Sequence, residues 1–407
     1  MRRDDIKSMV KELGPRRFAL VLADLMEGRD AAGKEIRKVR PEDISLRDLW
    51  EGTVGPVENT LPIAMRASGR LNIVDIQEAV DSTAFTSATS VLIAQKTIEG
   101  YDQPNMIGDE LVTVMTSRLK SERIVGFTSL EGPQEVPENM AYNESSFAEK
   151  YVTTETAKKG RILALTEEAI FFDQTGQVLL RAQRLGEQTR LEREETILAG
   201  VVDVGTATAN GYKSVYRPAG TAENLYAAAN NNYLATATPL VDWTDIDEVL
   251  QYHADNVRDD RAATLERRPI ILMSRVLLVA RKLAGTAARI LTATEHRSGD
   301  ITTGAGNQLI SGNPVRNIAP GLTALSSPML DYLAGVTGSN YDDNDDWFIG
   351  DPKRQFIWQE IWPLQVMRAK AGDDAEFRRD VVAQFKVRYY GGIAATDERF
   401  FIKVNAV

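Results

Sequence analysis

An acidic run towards the C-terminal end of the chain has the residue types of a calcium site. Asp342, Asp343, Asn344, Asp345 and Asp346 follow one another in YDDNDDWFIGD, and carboxylate and amide oxygens are the ligands that Ca²⁺ prefers. The run lacks the turn glycine and the bidentate glutamate of an EF-hand loop. It predicts an ordinary acidic loop, and a metal-dependent hydrolase that uses this run remains an alternative.

Other residues suited to acid–base or cofactor chemistry are sparse. The chain contains two histidines, His253 and His296, and no cysteine. His296 has Glu295 beside it, but a surface histidine near a helix end accounts for this pair. TTGAGNQLISG lacks the third glycine of a dinucleotide fingerprint, and no Walker-type loop, nucleophile elbow or His-Glu-x-x-His helix occurs. The sequence therefore predicts no enzyme, with no catalytic residue, cofactor or metal ligand.

Composition narrows the class of protein further. The 407 residues are 43% hydrophobic and 26% charged, which is typical of a folded protein. A net charge of −10 argues against electrostatically driven nucleic-acid binding. We expect no membrane span, because no apolar run approaches about 20 residues, and the N-terminus lacks the apolar region of a signal peptide. The basic segment 34–40, KEIRKVR, predicts a solvated helix face, with an arm that contacts partners or nucleic acid as the alternative.

The elements of the first half alternate between helices and strands. Residues 1–50 predict short charged helices, with a stop at Gly14-Pro15 and an apolar face in the helix before Gly28. LVTVMTSRL and RIVGFTSL predict strands, residues 131–160 predict a projecting two-stranded flap, and a strand begins at Arg161.

A long polar helix follows, and it has few residues to bury. From Gln177 to Ala199 it would extend roughly 35 Å, yet between Leu185 and Ile197 only Leu191 is a large apolar residue. Charged residues at helical spacing support such a helix by about 0.2–0.5 kcal/mol per pair. A helix that is polar nearly all round favours a bridge between domains or subunits, with a plain solvent-exposed helix as the alternative.

The second half predicts a mixed α/β body. DWTDIDEVLQYHADNVRDD predicts a helix capped by Thr244 and Asp247, RRPIILMS a strand, and RVLLVARKLAG a helix. GNPVRNIAPGLTA and DDWFIGDPKRQFIWQEIWPLQVMRAKAG predict further short strands. Alternation from Val381 to Tyr389 predicts a half-buried strand, followed by a turn at Gly391-Gly392 and a strand over 400–404.

The order of these elements resembles the tailed-phage major capsid proteins of the Hong Kong 97-like fold. The flap ends in TAKKGRILALTEEAIFFD, the long helix is QVLLRAQRLGEQTRLEREETILAG, and the chain ends in VAQFKVRYYGGIAATDERFFIKV. The acidic pair, leucine and glycine that typically end the family's spine helix match Glu194, Glu195, Leu198 and Gly200. The order of elements covers roughly residues 100–407, and the motif-like sequence covers 155–200 and 378–404.

The resemblance implies an α+β capsid fold with six successive parts. These are an N-terminal arm or helical extension (1–95), peripheral (P) domain strands (96–130), an extended E-loop (131–165), the P-domain spine helix (166–204), an axial (A) domain (205–375) and C-terminal P-domain strands (376–407).

The resemblance also implies a function without catalysis. The chain would form hexamers and pentamers of an icosahedral virion shell around double-stranded DNA, without reading its sequence, after synthesis in the bacterial cytoplasm. Portal, scaffolding and decoration proteins are the implied partners, and an encapsulin-like compartment is the alternative. The expected subunit-interface residues are Glu135, Tyr151, Lys158, Lys159, Arg184, Arg190 and Glu194. Reversing the charge of Arg190 or Glu194 is expected to impair assembly more than it destabilises the monomer.

Overall fold

The structure is a computed structural model, and it divides the chain into two compact units. It describes residues 3–29, 38–53, 74–102, 105–127, 135–136, 138, 149–172, 174–205, 212–259, 267–271, 275–298, 309–337, 339–341, 343–370 and 381–406. Unit 1 comprises Met1–Pro104, Lys158–Glu192 and Trp362–Tyr389, and unit 2 comprises Asn105–Ala157, Arg193–Ile361 and Tyr390–Val407. Asp342 and most of the basic segment 34–40 lie outside the described residues, as does the Gly304/Gly306 stretch.

Helices of very different length occur along the chain. They are α1 (Arg3–Glu27), α2 (Leu46–Thr53), α3 (Val74–Tyr101), α4 (Gly108–Leu111), α5 (Glu167–Phe171), α6 (Thr175–Val201), α7 (Trp243–Asn256), α8 (Ala284–Thr292), α9 (Val315–Ile318), α10 (Pro328–Ala334) and α11 (Pro352–Gln355).

The strands form a four-stranded sheet, a five-stranded sheet and two hairpins. They are β1 (Thr113–Thr116), β2 (Arg123–Phe127), β3 (Glu149–Thr153), β4 (Ala157–Thr166), β5 (Tyr233–Leu234), β6 (Val276–Ala280), β7 (Glu295–Ser298), β8 (Leu309–Gly312), β9 (Thr323–Ser327), β10 (Trp347–Gly350), β11 (Phe356–Lys370), β12 (Val381–Ala395) and β13 (Phe401–Val404). The larger sheets have the orders β1-β11-β12-β4 and β5-β13-β10-β6-β9, and the hairpins are β2-β3 and β7-β8. This mixture of helices and sheets confirms the predicted α+β class.

Unit 1 has an apolar core built mainly from helices α1, α2 and α3. The predicted helix break is confirmed, because α1 is interrupted at Gly14, whose φ of 74° favours glycine. On the second half of α1, Phe18 and Leu22 are fully buried, as the apolar face predicts. Trp50 of α2 meets Phe85 of α3 edge to face, with 4.7 Å between ring centroids. Buried residues of α5, α6 and β12 complete this core.

Unit 2 is built around the five-stranded sheet. Strand β6 lies between β9, to which it is parallel, and β10, to which it is antiparallel. Because VLLVA forms this paired strand, the helix predicted over RVLLVARKLAG is wrong. All residues of the strand are buried. A short apolar run has no periodicity that distinguishes a doubly covered strand from a buried helix. The helix that follows begins only at Ala284.

Two other predictions in unit 2 are wrong in detail. Asp242, not Thr244, caps α7: its carboxylate accepts from the Trp243 amide at 2.6 Å, and Asp245 accepts from the Asp242 amide at 2.7 Å. RRPIILMS forms no strand over its described residues 267–271.

The final strands confirm the alternation but not the turn. From Val381 to Tyr389 every second side chain is buried, and β13 forms where the last strand was expected. Strand β12 continues through Gly391 and Gly392 to Ala395. A Cβ atom on Gly391 would collide with the Trp358 ring, and one on Gly392 with the Glu155 carbonyl oxygen. These glycines therefore do not form a turn. They allow neighbouring segments of the chain to pack closely against β12.

Candidate subunit-interaction surface

The long polar helix of the sequence is α6, and its predicted extent is confirmed within two residues at each end. Two of its charged side chains lie inside the chain: Arg190 is 8% exposed and Glu194 is 2% exposed. The premise that this helix has little to bury within its own chain is therefore wrong at these positions.

Glu194 is held by backbone amides of unit 2. Its Oε1 accepts from the amides of Ile107 and Gly108 at 2.9 Å, and its Oε2 accepts from Gly108 at 3.0 Å. Hydrogen bonds to a carboxylate are stronger than those between neutral groups. A Cβ atom at position 108 would lie 2.5 Å from Glu194 Oε2, so any larger residue there would force the carboxylate to shift.

Arg190 belongs to a close contact between α6 and α3 in unit 1. Its guanidinium lies 5.4 Å from the centroid of the Tyr101 ring, within cation–π distance. A Cβ atom on Gly186 would collide with the Thr97 carbonyl oxygen, and one on Gly100 with that of Gln183. Sequence analysis missed this contact, although an isolated glycine in a strong helical pattern such as Gly186 is a signal of close packing.

Arg193 is a further anchoring residue that sequence analysis missed. Its guanidinium lies 2.8 Å from Asp109 Oδ1 and 5.2 Å from the Trp358 ring centroid. Arg184, by contrast, is exposed. The charged residues of α6 thus divide into a set that is buried in contacts within the chain and a set that is exposed.

Strands β2 and β3 form the base of the predicted flap. They pair in antiparallel register from Arg123 opposite Thr153 to Phe127 opposite Glu149. The Arg123 guanidinium lies 5.0 Å from the Tyr151 ring centroid, and the Tyr151 hydroxyl donates to the Ala219 carbonyl at 3.4 Å. Glu135 is exposed, and most of the segment around it lies outside the described residues.

A loop of unit 2 fastens the base of this hairpin. The Thr153 amide donates to the Arg217 carbonyl and the Ala219 amide to the Tyr151 carbonyl, both at 3.1 Å. Glu155 pairs with Lys213, and its second oxygen lies 3.0 Å from Arg217. The hydrogen bond from Lys213 lowers the pKa of Glu155 below its ordinary value.

Two cationic side chains of unit 1, one on β4 and one on β12, lie against the same tryptophan ring. Lys158 and Arg388 both face the Trp362 ring, with 5.9 and 4.5 Å from their charged groups to its centroid. Lys159 is paired within the chain, because its ammonium lies 2.6 Å from Glu192 Oε1. Lys158 is exposed and Lys159 is partly buried.

Two aspartates of the acidic loop form ion pairs with lysines of the same unit. Asp345 pairs with Lys282 at 2.5 Å, and Asp346 pairs with Lys403 at 2.9 Å. Asp346 is almost fully buried, and this burial raises its pKa while Lys403 opposes the rise. Within the described ranges, no group of three or more histidine or acidic residues could hold a metal ion.

His253 is part of the interior of unit 2. It is buried on α7, and its Nε2 lies 3.0 Å from the Arg399 carbonyl oxygen. Burial lowers its pKa, which favours the neutral imidazole. His296 lies on β7. In the part of the chain that the structure describes, no helix combines the length and apolar composition that a bilayer span requires.

Comparison with known proteins defines the class to which this chain belongs. A family model described as phage capsid protein matches residues 150–404, more than half of the chain. No curated protein matches the sequence significantly. The chain belongs to the phage capsid protein family, and its class is that of structural shell proteins of the virion.

Several solved structures, two of them described as capsids, are similar to this chain. A chain from Mycobacterium phage Ogopogo is 13% identical, with a TM-score of 0.42 and coverage of 75% of this chain and 93% of that one. A chain of the cyanophage Pam1 capsid is 15% identical, with a TM-score of 0.42 and coverage of 74% and 92%. A capsid chain of the native GTA particle is 14% identical, with a TM-score of 0.44 and coverage of 74% and 89%.

Proposed function

We propose that the protein is the major capsid protein of a tailed phage, which self-assembles into hexamers and pentamers of an icosahedral shell around double-stranded DNA. The observation that carries the proposal is membership of the phage capsid protein family over residues 150–404. The protein acts by repeated subunit contacts and without catalysis. The six-part division stays part of this proposal, with the E-loop at 131–165, the spine helix at 166–204 and the A domain at 205–375.

Charge supports a particular way for the flap to bind a neighbouring subunit. Residues 128–148, between β2 and β3, contain four glutamates and no lysine or arginine. Unit 1 exposes positive side chains on β4 and α6. These are Lys158, Arg161, Arg181 and Arg184. We propose that the acidic flap segment of one subunit lies over this basic surface of the next, and that Glu135 and Tyr151 belong to the flap side of the contact.

Charged pairs at exposed positions contribute at most about 1 kcal/mol each. Each contact is therefore weak, and the shell gains its stability from many copies of the same interface. Portal and scaffolding proteins, and possible decoration proteins, bind other surfaces of the lattice. The net charge of −10 suits a shell into which a motor drives the DNA, since the wall then need not neutralise it.

Electron microscopy of the purified protein, with and without a co-expressed scaffolding protein, tests the proposal. We expect closed shells or discrete hexamers and pentamers. A strictly monomeric protein at high concentration, under every salt and scaffold condition, would contradict it. The contents of particles isolated from their native source then separate a phage shell, which would hold double-stranded DNA, from the encapsulin-like alternative, which would hold a protein cargo instead.

The charged contact has its own test within the same assay. Reversing Lys158 and Arg161 together to glutamate should reduce the assembled fraction at least tenfold at low salt. The matched control reverses Lys7 and Lys11, which are also exposed in unit 1 but lie on α1, away from the proposed contact in sequence. Equal assembly of both variants would remove the charge argument and leave the capsid function standing.

A further inference from the structure

Asp203 is a buried carboxylate just beyond the end of α6. Its side chain and backbone together are 1% exposed, and its backbone has a φ of 57°, in the left-handed region. Aspartate and asparagine adopt this conformation more readily than other side chains. Asp203 therefore occupies a specific turn in the interior of unit 2.

The carboxylate connects three segments of unit 2, but only through one of its oxygens. Oδ2 accepts from the Leu225 amide at 2.7 Å and from the Asn340 side-chain amide at 3.2 Å. That same Asn340 amide nitrogen lies 3.2 Å from Asn224 Oδ1. Oδ1 of Asp203 is buried without a hydrogen-bond partner among the described residues. A buried carboxylate with one oxygen that lacks a hydrogen bond is costly to ionise.

Burial is the largest influence on the pKa of Asp203 and raises it, against the lowering effects of its hydrogen bonds and of the positive charge of Lys403. Lys403 of β13 is committed to Asp346 at 2.9 Å and to the Asn340 carbonyl at 2.7 Å. Burial raises the pKa of Tyr226 and of Tyr341, so both remain neutral below pH 8. Around Asn340 the interior of unit 2 thus holds the carboxylates of Asp203 and Asp346 and the ammonium of Lys403.

We propose that Asp203 is a proton-operated latch that closes the junction of α6 with the segments around Leu225 and Asn340 when it is protonated, and loosens this junction when it is ionised. A neutral carboxyl keeps Oδ2 as an acceptor and carries no charge that must be hydrated. An ionised one favours local opening, which lets water reach Oδ1. The latch is independent of the proposed capsid function, because it resides in a single chain.

The titration of Asp203 determines the direction of the effect on stability and the pH range in which it occurs. Burial raises its pKa from 3.8 to about 6. Because the folded state then binds the proton more tightly than the unfolded state, stability contributed by the neutral carboxyl is present below pH 4 and is lost as the pH rises to about 6. A shift of about two pKa units corresponds to roughly a 100-fold change in proton affinity, which sets the upper limit of the effect.

Hydrogen exchange at the Leu225 amide tests the latch on the full chain. After correction for the intrinsic pH dependence, protection of this amide should fall by about 10-fold between pH 5 and pH 7.5, because pH 5 lies about one unit below the folded pKa. In the Asp203→Asn variant, protection of the Leu225 amide should be the same at both pH values and close to that of the wild type at pH 5. Asparagine also accepts the left-handed backbone, so this variant is expected to fold.

Asp351→Asn provides the matched control, since Asp351 is also a buried carboxylate of unit 2 and its cation is Arg275, 4.0 Å away, rather than Lys403. It should retain the pH dependence of the Leu225 amide. The proposal is overturned if wild-type protection is the same at pH 5 and 7.5, or if Asp203→Asn keeps the wild-type pH dependence. Thermal unfolding gives an independent readout: Asp203→Asn should raise the melting temperature at pH 7.5 and leave it unchanged at pH 4, and a lowered value at both would also overturn the latch.

Discussion

The two units bury ionisable groups in different ways. In unit 1 the core is apolar, and the ammonium of the buried Lys96 reaches the exposed carboxylates of Glu42 and Glu99. In unit 2 the charged groups of Asp203, Asp346 and Lys403 are themselves buried, although this unit also has an apolar core. We therefore expect packing to determine most of the stability of unit 1, and charge and pH to have a larger effect on the stability of unit 2.

The largest effect should come from the core of unit 1. Phe385→Ala removes a fully buried ring and should lower the free energy of unfolding by about 3–5 kcal/mol. Because no charge is involved, the loss should be the same at pH 5 and pH 8. Denaturant unfolding at the two pH values measures it. A loss that changed strongly with pH would contradict the comparison.

An effect of similar size, but dependent on pH, is expected in unit 2. Lys403→Met leaves the Asp346 carboxylate buried without its cation, which should cost about 3–5 kcal/mol at pH 8. At pH 5 the cost should be smaller, because protonation of Asp346 removes the unpaired buried charge. Combining Lys403→Met with Asp346→Asn should recover much of the loss. No recovery in the double variant would show that the ion pair is not the source of the effect.

An intermediate effect is expected at the end of α6. Glu194→Gln keeps one acceptor oxygen but removes the charge that binds the amides of Ile107 and Gly108, so we expect a loss of about 1–3 kcal/mol. The control is Glu192→Gln on the same helix, whose partner Lys159 is partly exposed. That control should lose less than about 1 kcal/mol. Equal losses in chemical unfolding would contradict the division of the helix.

The smallest effect belongs to the base of the hairpin. Glu155→Gln should cost about 1 kcal/mol or less at pH 7, because Glu155 and its partners Lys213 and Arg217 are partly exposed. The pKa of Glu155 is lowered in the folded chain. Its contribution is therefore present above pH 4.5 and is lost as the pH falls through the folded pKa, which is opposite in sign to Asp203. Unfolding curves of wild type and variant that converge below this range would support the assignment.

Sequence patterns predicted some elements well and others poorly, for physical reasons. The alternation from Val381 to Tyr389 is a local property of one half-buried strand, so it was read correctly. Helix α3 was missed because its Thr, Ser and β-branched residues have weak helical propensity, and its packing against α1 and α6 overrides that preference. Strand β6 was misread because burial on both faces removes its alternation.

The candidate surface was predictable only where the contacts are local. The length and polarity of α6 were correct, but the partners of Glu194 lie 86 residues or more away in the sequence, at Ile107 and Gly108. No pattern within the helix distinguishes a glutamate with such a partner from one that faces solvent. The prediction that Arg190 and Glu194 act at the subunit interface is therefore revised: we propose that they act through the stability of the chain, and that Arg184 and Lys158 contact the neighbouring subunit.

A single paired measurement tests this revised account of the shell protein most directly. The variants Arg184→Glu and Arg190→Glu are purified side by side, and the free energy of unfolding of the unassembled chain and the yield of shells are measured on the same preparations. We expect Arg184→Glu to unfold within about 0.5 kcal/mol of the wild type and to lose most of its shells, and Arg190→Glu to be clearly destabilised before assembly. An Arg190→Glu chain as stable as the wild type that fails to assemble, beside an Arg184→Glu chain that assembles normally, would contradict it.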